Sequence, residues 1–218
     1  MSAAEGNLQD HSQFFWRKLH SLTGIIPVGA YLADHLWSNS SALVSVARYN
    51  QVSQELQTVP WRPFLELGLI WLPILYHGCY GVYVWLKGKS NVSQYPWVGN
   101  RVYALQRYTG LIAFVFIGWH VYSERFLTGG RSTYSDVENA VANPWILAFF
   151  LIGVTACCIH LGSGTWNFLC KWGFVATARS QRVAGYVSAG IAVTLSLVGV
   201  LILMSFRFDW HPFKIYVR

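Results

Sequence analysis

Charge is what this chain has least of. Asp, Glu, Lys and Arg make up 11% of its 218 residues, against about 25% in an ordinary soluble domain. No stretch is polar and regular enough for a separate soluble domain, so one membrane domain over residues 1–218 is expected. Cysteine is also scarce. Cys79, Cys157, Cys158 and Cys170 all fall in or at the edge of apolar runs, where they read as packing residues rather than a disulfide framework. The lack of Cys-x-x-Cys-His excludes the usual covalent attachment of haem. With no nucleotide-binding glycine fingerprint and no iron–sulfur cysteine set, flavin and cluster chemistry do not reside on this chain. The opening MSAAEGNLQDHSQ lacks the basic start and small-residue cleavage site of a signal peptide, so the first apolar run is expected to be retained.

What remains is apolar and aromatic. Hydrophobic residues make up 54% and aromatics 17%, with 11 tryptophans. Five runs approach the roughly 20 residues that a spanning helix needs: 19–36, 64–87, 105–126, 145–171 and 183–206. Backbone in lipid must satisfy its own hydrogen bonds, so an all-α integral membrane fold with five transmembrane helices is expected. Pro27 and Pro73 should kink the first two spans. Gly24, Gly29, Gly78, Gly81, Gly153, Gly185 and Gly190 allow close helix approach. Trp16, Trp37, Trp61, Trp97, Trp145 and Trp172 read as belts at the membrane surfaces. The first two spans are joined by a segment with helical character around SALVSVARYNQVSQEL; TGGRSTYSDVENAVANP reads as a loop between the third and fourth.

A net charge of +7 could mean nucleic acid, but in such a chain it reports topology. Arg17, Lys18, Lys87, Lys89, Arg101, Arg107, Lys171, Arg179 and Arg182 fall on one side, opposed only by Glu5 and Asp10. Arg48, Arg62, Arg125, Arg131, Arg207, Lys214 and Arg218 fall on the other, with the remaining acids. The first set lies closer to span ends. That places the N-terminus inside and the C-terminus outside.

Seven histidines occur, and His35, His77, His120 and His160 sit one in each of the first four spans. An ionisable residue at membrane depth is a functional candidate. One alone would read as a helix–helix hydrogen bond; one per helix is harder to dismiss. At about 1.5 Å rise per residue, His35 and His120 lie roughly 24 and 22 Å from the inner edge of their helices. His77 and His160, on helices running the other way, lie roughly 20 and 22 Å from the outer edge. Two layers follow, His77 with His160 towards the inside and His35 with His120 towards the outside, roughly 10–15 Å apart. Zinc would want four ligands. Asp34 beside His35 points elsewhere on the helix, and Glu-x-x-His for a di-iron site is absent. Two b-type haems with bis-histidine ligation fit the count, the pairing and the depth, within a bundle of the first four helices. Gly78, Gly118 and Gly162 near the ligands would leave room for flat macrocycles. On these residues alone, a haem-free proton-relay transporter also stays open, although no inverted repeat is visible.

The segments FWRKLHSLTGIIPVGAYLADHL, LPILYHGCYG, LQRYTG…WH, NPWILAF…IHLGSGTW and RSQR follow in order. Together they resemble the cytochrome b membrane anchor of succinate:quinone oxidoreductases (succinate dehydrogenase and fumarate reductase), in its single-polypeptide, five-helix, di-haem form. The resemblance covers nearly the whole chain. It implies a bacterial cytoplasmic-membrane complex with a flavoprotein carrying FAD and an iron–sulfur protein on the cytoplasmic face. It also implies His77 and His160 at the inner haem, His35 and His120 at the outer, and electron delivery to a quinone, with menaquinone expected. A di-haem anchor of another quinone-linked oxidoreductase, such as a hydrogenase, is the nearest alternative. Quinone chemistry at the outer side would couple to the membrane potential, worth about 2.3 kcal/mol per charge per 100 mV. A higher oligomer of the complex is left open.

A quinone site needs a proton-exchanging group. Glu66 and Asp34, near the outer ends of the second and first helices, are the candidates; each could instead be an interfacial carboxylate. Glu124 is expected to form an ordinary interface pair with Arg125. For the inner haem propionates the candidates are Arg17, His20, Ser21, Lys171 and Arg182, with Arg179 beside the last. His20, three residues from Arg17 on one helix face, is expected to be a haem-edge or subunit contact rather than an axial ligand. His11 and His211 are expected at the surface.

Overall fold

The structure is a computed structural model describing residues 3–89 and 91–214, with side chains from residue 12 on. The side chains of Glu5, Asp10 and His11, and Arg218, lie outside the described residues. All regular structure among the described residues is helical. The chain runs α1 (Ala3–Ile25), α2 (Pro27–Asn39), α3 (Val46–Gln57), α4 (Arg62–Leu65), α5 (Leu72–Lys87), α6 (Val98–Val121), α7 (Tyr134–Ala142), α8 (Pro144–Lys171) and α9 (Ala178–Phe208). Three helical stretches are long and apolar enough to cross a membrane by length and composition: Arg62–Lys87, Pro144–Lys171 and Ala178–Phe208. The other two expected spans fall within α1–α2 and within α6 and its extension.

Both prolines leave their mark. The first span breaks at Ile26, and Pro27 opens α2, where its missing N–H costs least. Before Pro73 the helix widens into a π turn, Glu66–Trp71, which accommodates the lost donor. A second π turn, Tyr122–Leu127, extends α6. The hub is α8, packed along α9 and α6 and touching α1; α5 rests on α1 and only lightly on α6. Small residues set the closest approaches. A Cβ at Gly162 would strike the Ser188 carbonyl and Ala192 at 2.6 Å, and one at Gly29 would meet Leu161 at 2.7 Å.

The most deeply buried side chains gather at one end, which α3 and α7 cap. Tyr134, Val141, Phe206, Ala42 and Ser205 are all but sealed from solvent. The Tyr134 hydroxyl donates to the Ser205 carbonyl at 2.9 Å, and the Ser205 hydroxyl donates to the Ala42 carbonyl at 2.9 Å. His211, expected at the surface, is instead tied in. Its Nδ1–H donates to the Ala42 carbonyl at 2.7 Å, and Nε2 meets Asp209 at 3.0 Å. The chain after α9 thus folds back onto the cap, with Phe213 N–H donating to Leu43.

The two long connections hold more structure than their composition suggests. A 3-10 turn (Ser40–Leu43) precedes α3, whose start is fixed by Ser45 accepting from Arg48 N–H. The segment read as a loop contains α7, opened by a reciprocal cap between Thr133 and Asp136. The Thr133 backbone N–H and hydroxyl both donate to Asp136, holding its carboxyl below the usual range. A lowered folded-state value means that the cap is complete at neutral pH and is lost as pH falls through that value. Thr133→Ala is expected to cost about 1 kcal/mol, read as a lower thermal midpoint in detergent, with the deficit shrinking in acid.

Candidate functional site

His77 of α5 and His160 of α8 face each other, ring centroids 6.0 Å apart and planes at 76°. Each ring is aimed by its own backbone hydrogen bond. His77 Nδ1 lies 3.0 Å from the His20 carbonyl, and His160 Nδ1 lies 3.0 Å from the Gln106 carbonyl. A carbonyl only accepts, so both protons sit on Nδ1 and each ring carries its lone pair on Nε2, that of His160 within reach of the Gln106 side-chain amide. This is the arrangement by which proteins orient metal-ligating imidazoles. The Gln106 side chain adds to it: the Ser163 hydroxyl donates to its Oε1, which turns its amide nitrogen to within 3.4 Å of His160 Nε2.

Glycines make the space. A Cβ on Gly24 would collide with the His77 ring, and one on Gly110 would lie 2.7 Å from His160 Cε1. Of the glycines expected beside the ligands, two pack against neighbouring helices. Gly78 abuts Phe114 and Gly162 seats α9, because each faces a neighbouring helix rather than the imidazoles; Gly118 has open space. Gly110→Ala is expected to displace His160 and so to remove or strongly shift the absorption of a haem held by the His77–His160 pair, and of that haem alone. The optical spectrum of the variant against wild type checks this.

The second pair is His35 of α2 and His120 of α6, centroids 5.8 Å apart and planes at 69°. Phe116 stacks on His120 (5.6 Å, 6°), Phe150 meets it edge-on, and Tyr31 lies 5.6 Å from His35. Three buried ring nitrogens, His120 Nδ1, His20 Nε2 and Trp85 Nε1, have no hydrogen-bond partner among the described residues. Such atoms normally have one.

These residues fit haem iron. With metal–nitrogen bonds of about 2 Å and ring centres about 1 Å behind each nitrogen, two imidazoles on one ion lie about 6 Å apart. Both pairs have that spacing. No cluster of three or more His, Cys, Asp or Glu converges among the described residues, so a zinc-type donor set is not offered.

A model described as "Succinate dehydrogenase/Fumarate reductase transmembrane subunit" matches residues 87–199. The succinate dehydrogenase cytochrome b558 subunit of Bacillus subtilis (strain 168) is 36% identical over 201 residues, covering 91% of this chain and 100% of that relative. The chain belongs to the succinate dehydrogenase/fumarate reductase transmembrane subunit family. It is thus a membrane subunit of an enzyme complex, and the resemblance to a succinate:quinone oxidoreductase cytochrome b anchor holds.

In this family member the remaining candidates fall into two groups. Around His77, His20 stacks flat on the ring at 4.3 Å and 6°. Ser21 is half-buried; Arg17, Lys171 and Arg182 are exposed. Lys18 bridges α1 to the end of α8: its ammonium donates to the Lys171 carbonyl at 2.7 Å and lies over Trp172.

Around the second pair, Asp34 is exposed, while Glu66 is held in the first π turn. Arg62 Nε donates to Glu66 Oε1 at 2.6 Å, and Arg125 Nη2 donates to Oε2 at 3.1 Å. The expected Glu124–Arg125 pair is therefore wrong. Adjacent residues on a helix diverge by about 100°, and Arg125 reaches across to the other π turn. Glu124 instead accepts from the hydroxyls of Ser132 and Ser123. The sequence reading also missed Gln106, Ser163, Gly24 and Gly110 as parts of the first site. The run LQRYTG, which holds Gln106 and Gly110, was the available signal.

Proposed function

We propose that this chain is the di-haem cytochrome b anchor of a succinate:quinone oxidoreductase, carrying electrons between an iron–sulfur partner and a membrane quinone. The observation that carries this reading is the two facing histidine pairs, each at the spacing one coordinated ion requires. His77 and His160 would hold one haem, His35 and His120 the other. Haem b bound there supplies reversible one-electron carriage.

The protein's share is placement. The His20 and Gln106 carbonyls fix the tautomers of His77 and His160; the rings of Phe116 and Phe150 exclude water from His120. Arg17, His20 and Ser21 within α1, Lys171 at the end of α8 and Arg182 near the start of α9 would hold the propionates of the His77–His160 haem. The name of the Bacillus relative, a cytochrome b558 subunit of succinate dehydrogenase, supports a complex with a flavoprotein carrying FAD and an iron–sulfur protein. Arg17, Lys171 and Arg182 support docking of those partners on the cytoplasmic side. The chain then forms one domain of five spans in the bacterial cytoplasmic membrane, N-terminus inside, with the α3–α7 cap and C-terminus outside. Quinone, menaquinone by family resemblance, would bind near the His35–His120 pair, where Glu66 and Asp34 are the proton-exchange candidates.

Membranes holding the complete complex test this. Succinate is expected to reduce b-type haem, and menadione, a soluble naphthoquinone, to reoxidise it. Haem that stays oxidised with succinate but is reduced by dithionite would contradict the reading.

A further inference from the structure

Glu124 has no part in the ion pair of the two π turns, yet it occupies a telling position. It lies one turn beyond His120 in the second π turn and is half-buried. Its neighbour Arg125 is committed to Glu66. Hydroxyls surround it. Ser132 donates to Oε2, Ser123 donates to Oε1 at 3.4 Å, and Thr128 Oγ1 lies 3.1 Å from Ser132 Oγ. Ser132 in turn lines a polar groove of about 280 Å³ at the surface, with Asn50, Ser53, Gln54 and Gln57 of α3 and with Arg131. Ser53 secures the groove's wall by donating to the Ser132 carbonyl at 3.1 Å. A half-buried carboxylate near the second histidine pair is thus joined by one hydroxyl to a water-accessible, hydrogen-bonding groove. Glu66, by contrast, has both oxygens engaged by guanidinium groups.

We propose that Glu124 and Ser132 form the proton entrance of the quinone site beside His35 and His120. This inference rests on the functional reading above. Reduction of one quinone to quinol takes two electrons, delivered from the iron–sulfur partner, and two protons. For each proton, the Glu124 carboxyl gives its hydrogen to a quinone oxygen. The Ser132 hydroxyl then passes its proton to Glu124 and takes one from a water in the groove, which bulk solvent replenishes. Quinol oxidation runs the same chain backwards. Ser123 and Thr128 hold Glu124 and Ser132 in line and exchange no proton in the scheme.

The test uses membranes containing the complete complex and variants Glu124→Gln, Glu124→Asp and Ser132→Ala. Three quantities are read in each: haem content, the rate of haem reduction by succinate, and the rate of haem reoxidation by menadione. Glu124→Gln is expected to keep both haems and the wild-type rate of reduction by succinate, while reoxidation slows roughly hundredfold, the lower end of what acid–base groups supply. Glu124→Asp should recover most of that loss, and Ser132→Ala should slow reoxidation less than Glu124→Gln does. Reoxidation of Glu124→Gln at the wild-type rate would overturn the proposal and leave the functional reading intact. So would loss of haem in that variant, which would make Glu124 a structural group. Wild-type haem that succinate does not reduce would overturn the functional reading and this proposal with it.

Discussion

Replacing His160 by alanine is expected to remove one b haem and leave the other in place. The imidazole is the only side chain of α8 that faces His77 as a ring partner, and alanine offers no lone pair. His77 would then be a single ligand, its Nδ1–H still held by the His20 carbonyl. The second pair lies on α2 and α6, and Phe116 and Phe150 pack around His120 independently of His160. Its haem should therefore survive, with its spectrum little changed. His77→Ala should give the same outcome. His35→Ala and His120→Ala should give the converse, sparing the first site. Haem per chain, measured as the pyridine haemochrome, should fall from about two to about one in all four single variants (one iron per histidine pair,). Loss of both haems in His160→Ala, with the protein still folded, would mean that the pairs are not independent sites.

The second large effect concerns the fold. Tyr134→Ala is expected to destabilise the chain by about 3–5 kcal/mol, the range for deleting a buried aromatic. Tyr134 is 2% exposed, meets Phe206 at 4.8 Å and Tyr49 at 5.9 Å, and anchors α7 onto α9 through the Ser205 carbonyl. The same substitution removes one hydrogen bond from that carbonyl, which keeps the Asp209 and Trp210 N–H groups, and opens a void where α3, α7 and α9 meet. Tyr134→Phe keeps the ring and should cost only about 1 kcal/mol, the worth of one hydrogen bond. Thermal unfolding of the detergent-purified complex would separate the two. Haem content at low temperature should be normal in both, because the ring partners of Tyr134 are Tyr49, Phe206 and His211, none of them a histidine of either pair.

Much of this architecture is legible in the amino-acid order, and the reasons are physical. Apolar runs and their prolines mark the long helices, since lipid leaves the backbone few alternatives. The rise per residue sorts four histidines into two pairs, and the ring contacts couple the same partners. What escapes the sequence is set by tertiary approach. Gly24 and Gly110 look like any helix-packing glycine until an imidazole is found lying on each. Arg125 looks like a partner for Glu124 because they are neighbours in sequence, and only the π turns bring it to Glu66. Helix α7 hides in polar composition, although Thr133 with Asp136 three residues later was a capping signal in plain view. His211 looks exposed near the C-terminus, and the fold-back that ties it to Ala42 leaves no periodic trace.

One measurement bears most directly on the two-site reading: haem b per chain in the purified wild-type complex, from a dithionite-reduced minus oxidised spectrum with pyridine haemochrome quantification. Two facing pairs of imidazoles at 6.0 and 5.8 Å call for two haems, each removable by replacing either histidine of its pair. A wild-type chain that carries no haem, or one whose haem survives replacement of all four histidines, would contradict it.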